Sequence, residues 1–245
     1  SAAARALSTK IAEEIYFNAL SASCDLAQAE GAHETFAETR AAKGMLQFDL
    51  WGIAPADSAR WDVLRKRIQE NGLRNSLLIA IAPTATIASI LGCYECIEPQ
   101  VSNLFKRETL SGEFLQVNTY LVEELKSRGL WTADVRAQIK LAEGSIQDIE
   151  AIPTDVRYRY RTAWELSQKP LVAMAAARGA FIDQSQSLNL FMESPSIDKL
   201  SSMYMYAWQQ GLKTTYYLRS RPATRIAKTI SQLPQDSAAT EREAA

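Results

Sequence analysis

Ile11, Ile15, Tyr16, Ala19, Leu20 and Cys24 recur at helical spacing, with Glu13 and Glu14 on the opposite side. That period predicts a long helix over 1–30 with Cys24 in its apolar stripe, a core thiol rather than a reactive one. A polar connection follows over 32–46, ending at Lys43-Gly44. Met45 to Trp51 alternates apolar and polar positions and reads as a short irregular segment. Pro55-Ala56-Asp57-Ser58 then forms a turn and N-cap for a helix from Ala59 to Glu70, stopped by Asn71-Gly72.

Leu77-Leu78-Ile79-Ala80-Ile81-Ala82 is continuously apolar and reads as a strand buried on both faces, as in a parallel sheet covered by helices. Pro83-Thr84-Ala85-Thr86-Ile87-Ala88-Ser89 follows as a small-residue turn opening into a helix. Such a joint presents unpaired backbone N–H groups to an anion at the positive end of the helix dipole. Residues 92–99 read as a loop. Two amphipathic helices are expected over 115–128 and 132–143, a further one from the Pro153-Thr154-Asp155 cap to Gln168, and another from Pro170 to Arg178 ended by Gly179. Phe181–Asp183 and Ser187–Met192 suggest a strand region, Ser196 caps a helix over 197–210, and Thr214–Arg219 reads as a third strand. Helices alternating with short buried strands make an α/β architecture rich in helix. No internal repeat or interdomain linker is visible. Residues 227–245, small and polar, read as a flexible tail behind one domain over 1–226.

Composition narrows this little: 245 residues, 47% hydrophobic and 22% charged, are ordinary for a globular protein. A net charge of -1 recruits neither nucleic acid nor an anionic membrane. No apolar run approaches a membrane span and no signal-peptide pattern stands out, so a cytoplasmic location is expected. Three cysteines fit a reducing compartment, and a single histidine, His33, read as a surface residue, leaves no His-based metal site or triad.

Four features have candidate chemistry beside a plainer reading. Tyr216-Tyr217 are two half-buried aromatics or a redox relay, since phenols lose an electron together with a proton. Adjacent strand residues point to opposite faces, so their rings meet only if the strand is distorted. Cys93-x-x-Cys96 is a redox pair or two inert loop thiols. Glu95 and Glu98 are an acid–base pair or solvated loop carboxylates. Arg219, Arg221, Arg225 and Lys228 face phosphate, a partner's acidic segment or solvent.

Taken in order, Leu73–Ala80, Pro83–Thr86, Ile97-Glu98-Pro99, Leu110-Ser111-Gly112-Glu113-Phe114, Arg178–Asn189 and Gly211–Pro222 resemble the large, catalytic subunit of class I ribonucleotide reductase, from about residue 10 to residue 226. That family reduces ribonucleotides, usually diphosphates, by radical chemistry in a ten-stranded α/β barrel. The resemblance implies that this chain is the carboxy-terminal part of that barrel. It makes the turn at Pro83, Thr84, Ala85, Thr86, Ile87 and Ala88 the cradle of the substrate diphosphate. It makes Tyr216 and Tyr217 the paired tyrosines of the radical pathway, with their rings stacked. Tyr217 would be oxidised by a smaller, metal-containing radical subunit, and Tyr216 would pass the oxidation to the active-site cysteine.

In the family the radical-bearing cysteine and the ATP and deoxynucleotide effector sites lie upstream of the matching region. None of Cys24, Cys93 and Cys96 fits the radical motif, and the tail after Arg225 carries no cysteine pair. The chain is therefore expected to bind no cofactor itself and to be inactive alone. Its partners would be an upstream half of the large subunit, the small subunit, a ribonucleoside diphosphate and a thioredoxin- or glutaredoxin-type reductant, with no membrane or nucleic acid. Two alternatives stand beside this: a non-catalytic module that binds reductase subunits, and a thiol oxidoreductase built on Cys93 and Cys96.

Overall fold

A computed structural model describes residues 1–109 and 112–221. The long first helix, α1 (Ala2–Glu30), buries Tyr16, Leu20, Cys24 and Ala27. Ile11 and Ile15 lie outside that buried row and are half exposed. Glu13 is not on a solvated face as the pattern suggested. It is buried, and its Oε1 accepts from Trp61 Nε1 (3.0 Å) and the Ala56 N–H (2.9 Å).

The alternating segment at 45–51 folds as a one-turn helix, α2 (Gln47–Leu50). Asp49 closes it by accepting from the Leu46 N–H at 2.7 Å, and Arg65 holds the same carboxylate at 2.7 Å. Next comes α3 (Ser58–Asn71), N-capped by Asp57, whose Oδ1 accepts from the Arg60 N–H at 3.1 Å. Trp61 of α3 is the centre of the first core, edge-on to Phe48 at 4.7 Å and stacked with Phe181 at 6.5 Å. Burying these aromatics against Tyr16, Leu20 and Cys24 of α1 supplies much of what holds α1, α2 and α3 together.

The expected strand at 77–82 is corrected. The segment is extended but forms only an isolated parallel bridge, Ile81 to Gln186. Leu77 is exposed, and Leu78 and Ile79 are half-buried. Its backbone is satisfied from one side: Gln184 N–H donates to Ile79 O (3.0 Å), Ile81 N–H to Ser185 O (3.1 Å) and Ser187 N–H to Ile81 O (2.7 Å). Asp183 accepts from the Leu78 and Ile79 N–H groups at 2.9 and 2.8 Å. Its apolar side chains line a cavity with Leu7, Ile11 and Ile15 of α1 rather than a second strand.

The turn at Pro83 leads into α4 (Ala85–Ile90) as expected. Strands β1 (Leu104–Thr109) and β2 (Gly112–Val117) then pair antiparallel, a hairpin absent from the expectation. Thus the helix expected from 115 starts only at Thr119, as α5 (Thr119–Ser127), with Asn118 as its cap. With α6 (Ala133–Leu141) it packs a second core around Leu125, Ile139 and Ile152. The helix expected to reach Gln168 ends at Arg159, as α7 (Thr154–Arg159). Thr162 opens a new turn there, its N–H donating to Glu165 Oε2 at 2.7 Å.

After α8 (Lys169–Gly179), Phe181–Asp183 forms no strand. Phe181 and Ile182 instead turn the chain so that their side chains are buried. The last elements are β3 (Asn189–Met192), α9 (Ile197–Gln209) and β4 (Tyr217–Ser220). β3 and β4 pair parallel, joined by the crossover helix α9, whose Ala207 packs on Val172, Leu188 and Leu190. The third strand thus starts at Tyr217, not Thr214, and Tyr216 lies outside it. Ser196 caps α9 by accepting from the Lys199 N–H at 3.3 Å. The described residues therefore hold an α/β fold with two separate two-stranded sheets. Leu110, Ser111, Arg225, Lys228 and the tail at 227–245 lie outside the described residues.

Candidate functional site

A cavity of 390 Å³ lies where the Pro83 turn, the loop at 94–98, β3 and β4 meet. Pro83 and Thr84 line it from one side, Cys96 and Glu98 from the loop, and Asn189, Tyr217 and Arg219 from the strands. Two expected candidates, the anion turn and one of the two tyrosines, therefore share one space.

Each is placed by local geometry. Thr84 has φ 21° and ψ 15°, a backbone unusual for a non-glycine residue, and its Oγ1 donates to Glu95 O at 3.3 Å. The Ala88 N–H donates to Thr84 O at 2.8 Å. The N–H groups of Ala85, Thr86 and Ile87 precede that first helical bond, so the turn keeps the donors an oxyanion takes. Pro83, Thr84 and Thr86 are exposed, as is Ile87, whereas Ala88 is buried.

Tyr217 is held by its N–H donating to Leu188 O at 3.0 Å. Tyr216 is 64% exposed and does not line the cavity. The two rings meet with centroids 4.4 Å apart and planes at 81°, edge to face rather than stacked. Their contact follows from the strand starting between them, since Tyr216 is not bound to strand geometry.

The cysteines are free thiols. Cys93 is exposed, and its Sγ donates to Leu91 O at 3.8 Å. Cys96 is half-buried, and its Sγ accepts from Asn189 Nδ2 at 3.3 Å. Burial, with Glu98 and Glu95 nearby, pushes the Cys96 thiol up to about 11. A thiol held protonated is a poor nucleophile. Burial likewise raises the Cys24 thiol, in keeping with its core position. His33 is half-buried rather than a plain surface residue, edge-on to Phe36 at 5.8 Å.

The loop carboxylates divide. Glu95 is exposed, as expected of a solvated residue. Glu98 is buried, which corrects the solvated reading. It accepts from the Asn189 N–H at 3.3 Å and from Asn189 Nδ2 at 3.2 Å. Asn189 Oδ1 in turn accepts from Arg219 Nε at 3.3 Å, and the Arg219 guanidinium lies over the Tyr217 ring, 4.8 Å from its centroid. Arg178, 3% exposed, is also near Glu98, and burial lowers its affinity for a proton. Its Nε donates to Gln186 Oε1 at 2.7 Å. Arg221 faces Glu193 at 3.4 Å. Asn189 and Arg178 end the Arg178–Asn189 motif, which pointed to a family but gave neither residue a role. Their burial is what marks them in the folded chain.

A family model for the ribonucleotide reductase barrel domain matches residues 1–218. The chain belongs to the ribonucleotide reductase barrel-domain family. It is 50% identical over 224 residues to the ribonucleoside-diphosphate reductase large subunit of Caenorhabditis elegans, covering 91% of this chain and 28% of that protein. The large chain from Schizosaccharomyces pombe is 47% identical over 229 residues, again 28% of its length. The solved class Id ribonucleotide reductase alpha subunit of Actinobacillus ureae superposes with TM-score 0.68 at 26% identity, covering 91% of this chain and 35% of that one. The chain thus spans a little over a quarter of the curated relatives that it matches. Among the described residues, no helix is long and apolar enough to cross a membrane, and no group of His, Cys, Asp and Glu is arranged to hold a metal ion.

Proposed function

We propose that this chain is the part of a class I ribonucleoside-diphosphate reductase large subunit that cradles the substrate diphosphate and relays the radical. The observation that carries this is the meeting of Tyr217 and the Pro83 turn in one cavity, with the Tyr216 ring in contact with Tyr217. The chain forms a portion of the family's ten-stranded barrel, and an upstream part of the large subunit supplies the remaining strands, the radical cysteine and the effector sites. The half-exposed Ile11 and Ile15 and the exposed Leu77, beside the 77–82 segment satisfied from one side, support a covering partner.

In this reading, the N–H groups of Ala85, Thr86 and Ile87 and the hydroxyl of Thr86 hold the diphosphate of a ribonucleoside diphosphate, and the Thr84 hydroxyl joins them by turning away from Glu95 O. Ala88, expected to contribute its backbone, is buried with its N–H bonded to Thr84 O and so holds the turn's shape instead. Tyr217 gives one electron and one proton to the oxidised small subunit, a metal-containing radical generator. The Tyr217 phenoxyl then takes an electron and a proton from Tyr216, which recovers them from the radical cysteine upstream. Contact between the two rings keeps that exchange short. A thioredoxin- or glutaredoxin-type dithiol supplies the two electrons of each ribose reduction.

The test combines this chain with the upstream part and the small subunit and measures deoxynucleotide formation. Activity is expected only with all three present, with Tyr216→Phe and Tyr217→Phe each reducing it to background. Full activity of either variant rejects the relay. Binding to the small subunit without turnover in any combination favours a non-catalytic interaction module.

A further inference from the structure

We infer that Arg219 is a positioning residue for Tyr217, held in place by a buried Glu98–Asn189 pair. This rests on the relay reading and adds to it a group outside the two tyrosines.

The register of the parallel pair carries the geometry. Asn189 sits opposite Tyr217, and Arg219 lies two residues further along β4. Residues two apart on a strand share a face, so Tyr217 and Arg219 point the same way, toward Asn189. There the guanidinium is fixed twice, by its Nε bond to Asn189 Oδ1 and by the Tyr217 ring beneath it. An amide can rotate and release its partner, but Asn189 is locked: Glu98 accepts from both its main-chain and side-chain nitrogens. Glu98 and Asn189 are both buried. A buried carboxylate is costly unless its bonds are made and a countercharge is near. The buried Arg178 supplies a countercharge to Glu98, and Arg219 joins the pair through its bond to Asn189 Oδ1, so the buried pair fixes where Arg219 sits.

Two consequences follow for the exchange between tyrosines. Tyr216 is largely exposed and has no such clamp, so the clamped Tyr217 ring sets the edge-to-face contact. A cation over the ring also disfavours loss of an electron alone, which would leave a positively charged ring beside it. The electron therefore does not leave ahead of the proton; both go to the oxidised small subunit, and the same pair is returned from Tyr216.

The experiment uses the complete large subunit with a saturating amount of the small subunit. It measures kcat and KM for the ribonucleoside diphosphate in Arg219→Met, Arg219→Lys, Asn189→Leu and the Arg219→Met/Asn189→Leu double variant. Small misplacements of reacting groups cost up to about 100-fold. A fall in kcat of about tenfold or more in Arg219→Met with KM unchanged is expected. Arg219→Lys, which keeps the charge, should recover part of it. The double variant should be no worse than the poorer single one, because both break the same link. Wild-type kcat in Arg219→Met overturns the inference. So does a loss that appears as raised KM, which would make Arg219 a phosphate ligand, and so does simple additivity in the double variant. Tyr217→Phe measured alongside separates the two readings. If it is inactive while Arg219→Met is unaltered, only the positioning role fails. If it is fully active, the relay fails and the positioning role with it.

Discussion

Cys93 and Cys96 look equivalent as a spaced pair, yet their surroundings differ. Cys93 is exposed, whereas Cys96 sits against Asn189 with Glu98 and Glu95 beside it. At pH 8 a small alkylating reagent should therefore label Cys93 well before Cys96, as peptide mass spectrometry would report; equal labelling would contradict the burial of Cys96. The same shift affects stability. The folded thiol titrates at about 11 and the unfolded one near 9.0. Between those values the unfolded chain has lost a proton that the folded chain keeps. The contribution is thus complete below pH 9 and is lost as pH rises toward 11. The urea midpoint of the native chain should fall more steeply across that window than that of Cys96→Ser. Nothing in the Cys-x-x-Cys spacing tells these thiols apart, because the difference comes first from the burial of Cys96 against distant residues such as Asn189 and then from the charge of Glu98.

Element boundaries were set by polar side chains with two tasks. Asn118 caps α5 by accepting from the Leu121 N–H at 3.4 Å. It also donates from Nδ2 to Asn103 Oδ1 at 2.9 Å, while Asn103 Nδ2 reaches Gly144 O at 3.0 Å and Tyr160 O at 2.9 Å. That buried chain ties the start of β1, the cap of α5 and the end of α7 together. Asn118→Leu removes the cap and leaves Asn103 Oδ1 without this donor, so it should cost about 1–3 kcal/mol. A calorimetric scan should show Tm lowered by about 2–4 °C for each kcal/mol lost. An unchanged Tm would mean that the amide pair contributes little. Gly144 is the neighbouring constraint. Its φ is 88°, and a Cβ there would lie 2.0 Å from Ser102 Oγ and 2.6 Å from the Leu104 nitrogen. A glycine-to-alanine change stabilises by up to about 1 kcal/mol where the backbone is compatible, but Gly144→Ala should destabilise by more than that amount, visible as a lower urea midpoint. Helix periodicity located α1, α3, α8 and α9 well. It ran past the ends of others because local caps such as Asn118 and Thr162 override the period.

The arrangement of apolar surface is the feature that belongs to the entire chain. Leu7, Ile11 and Ile15 of α1 face Ile79, Ile81 and Met174 across a cavity of 520 Å³. Apolar patches of this kind on a lone chain favour association. The chain alone should self-associate in sedimentation experiments, and Ile11→Lys with Ile15→Lys should suppress this. If the proposed upstream part covers this face, the pair should also weaken its binding, without lowering the chain's own melting temperature, because neither residue belongs to the Trp61 core. Self-association that persists unchanged would place the sticky surface elsewhere.

Local pattern was enough for the long helices, for Cys24 in the core, for the turn at Pro83 and for the family, since each depends on residues close together in the chain. The continuous apolar run at 77–82 shows where that information stops. The run is extended as expected, but whether it becomes a strand depends on neighbours, and here one side finds only residues 184–187. Glu98 likewise read as a solvated loop carboxylate until folding placed it against Asn189, 91 residues away. Arg219 could face phosphate, partner or solvent, and the parallel register of β3 and β4 turned it onto Tyr217. Burial and pairing between distant segments are properties of the folded chain, and short-range periodicity carries no record of them.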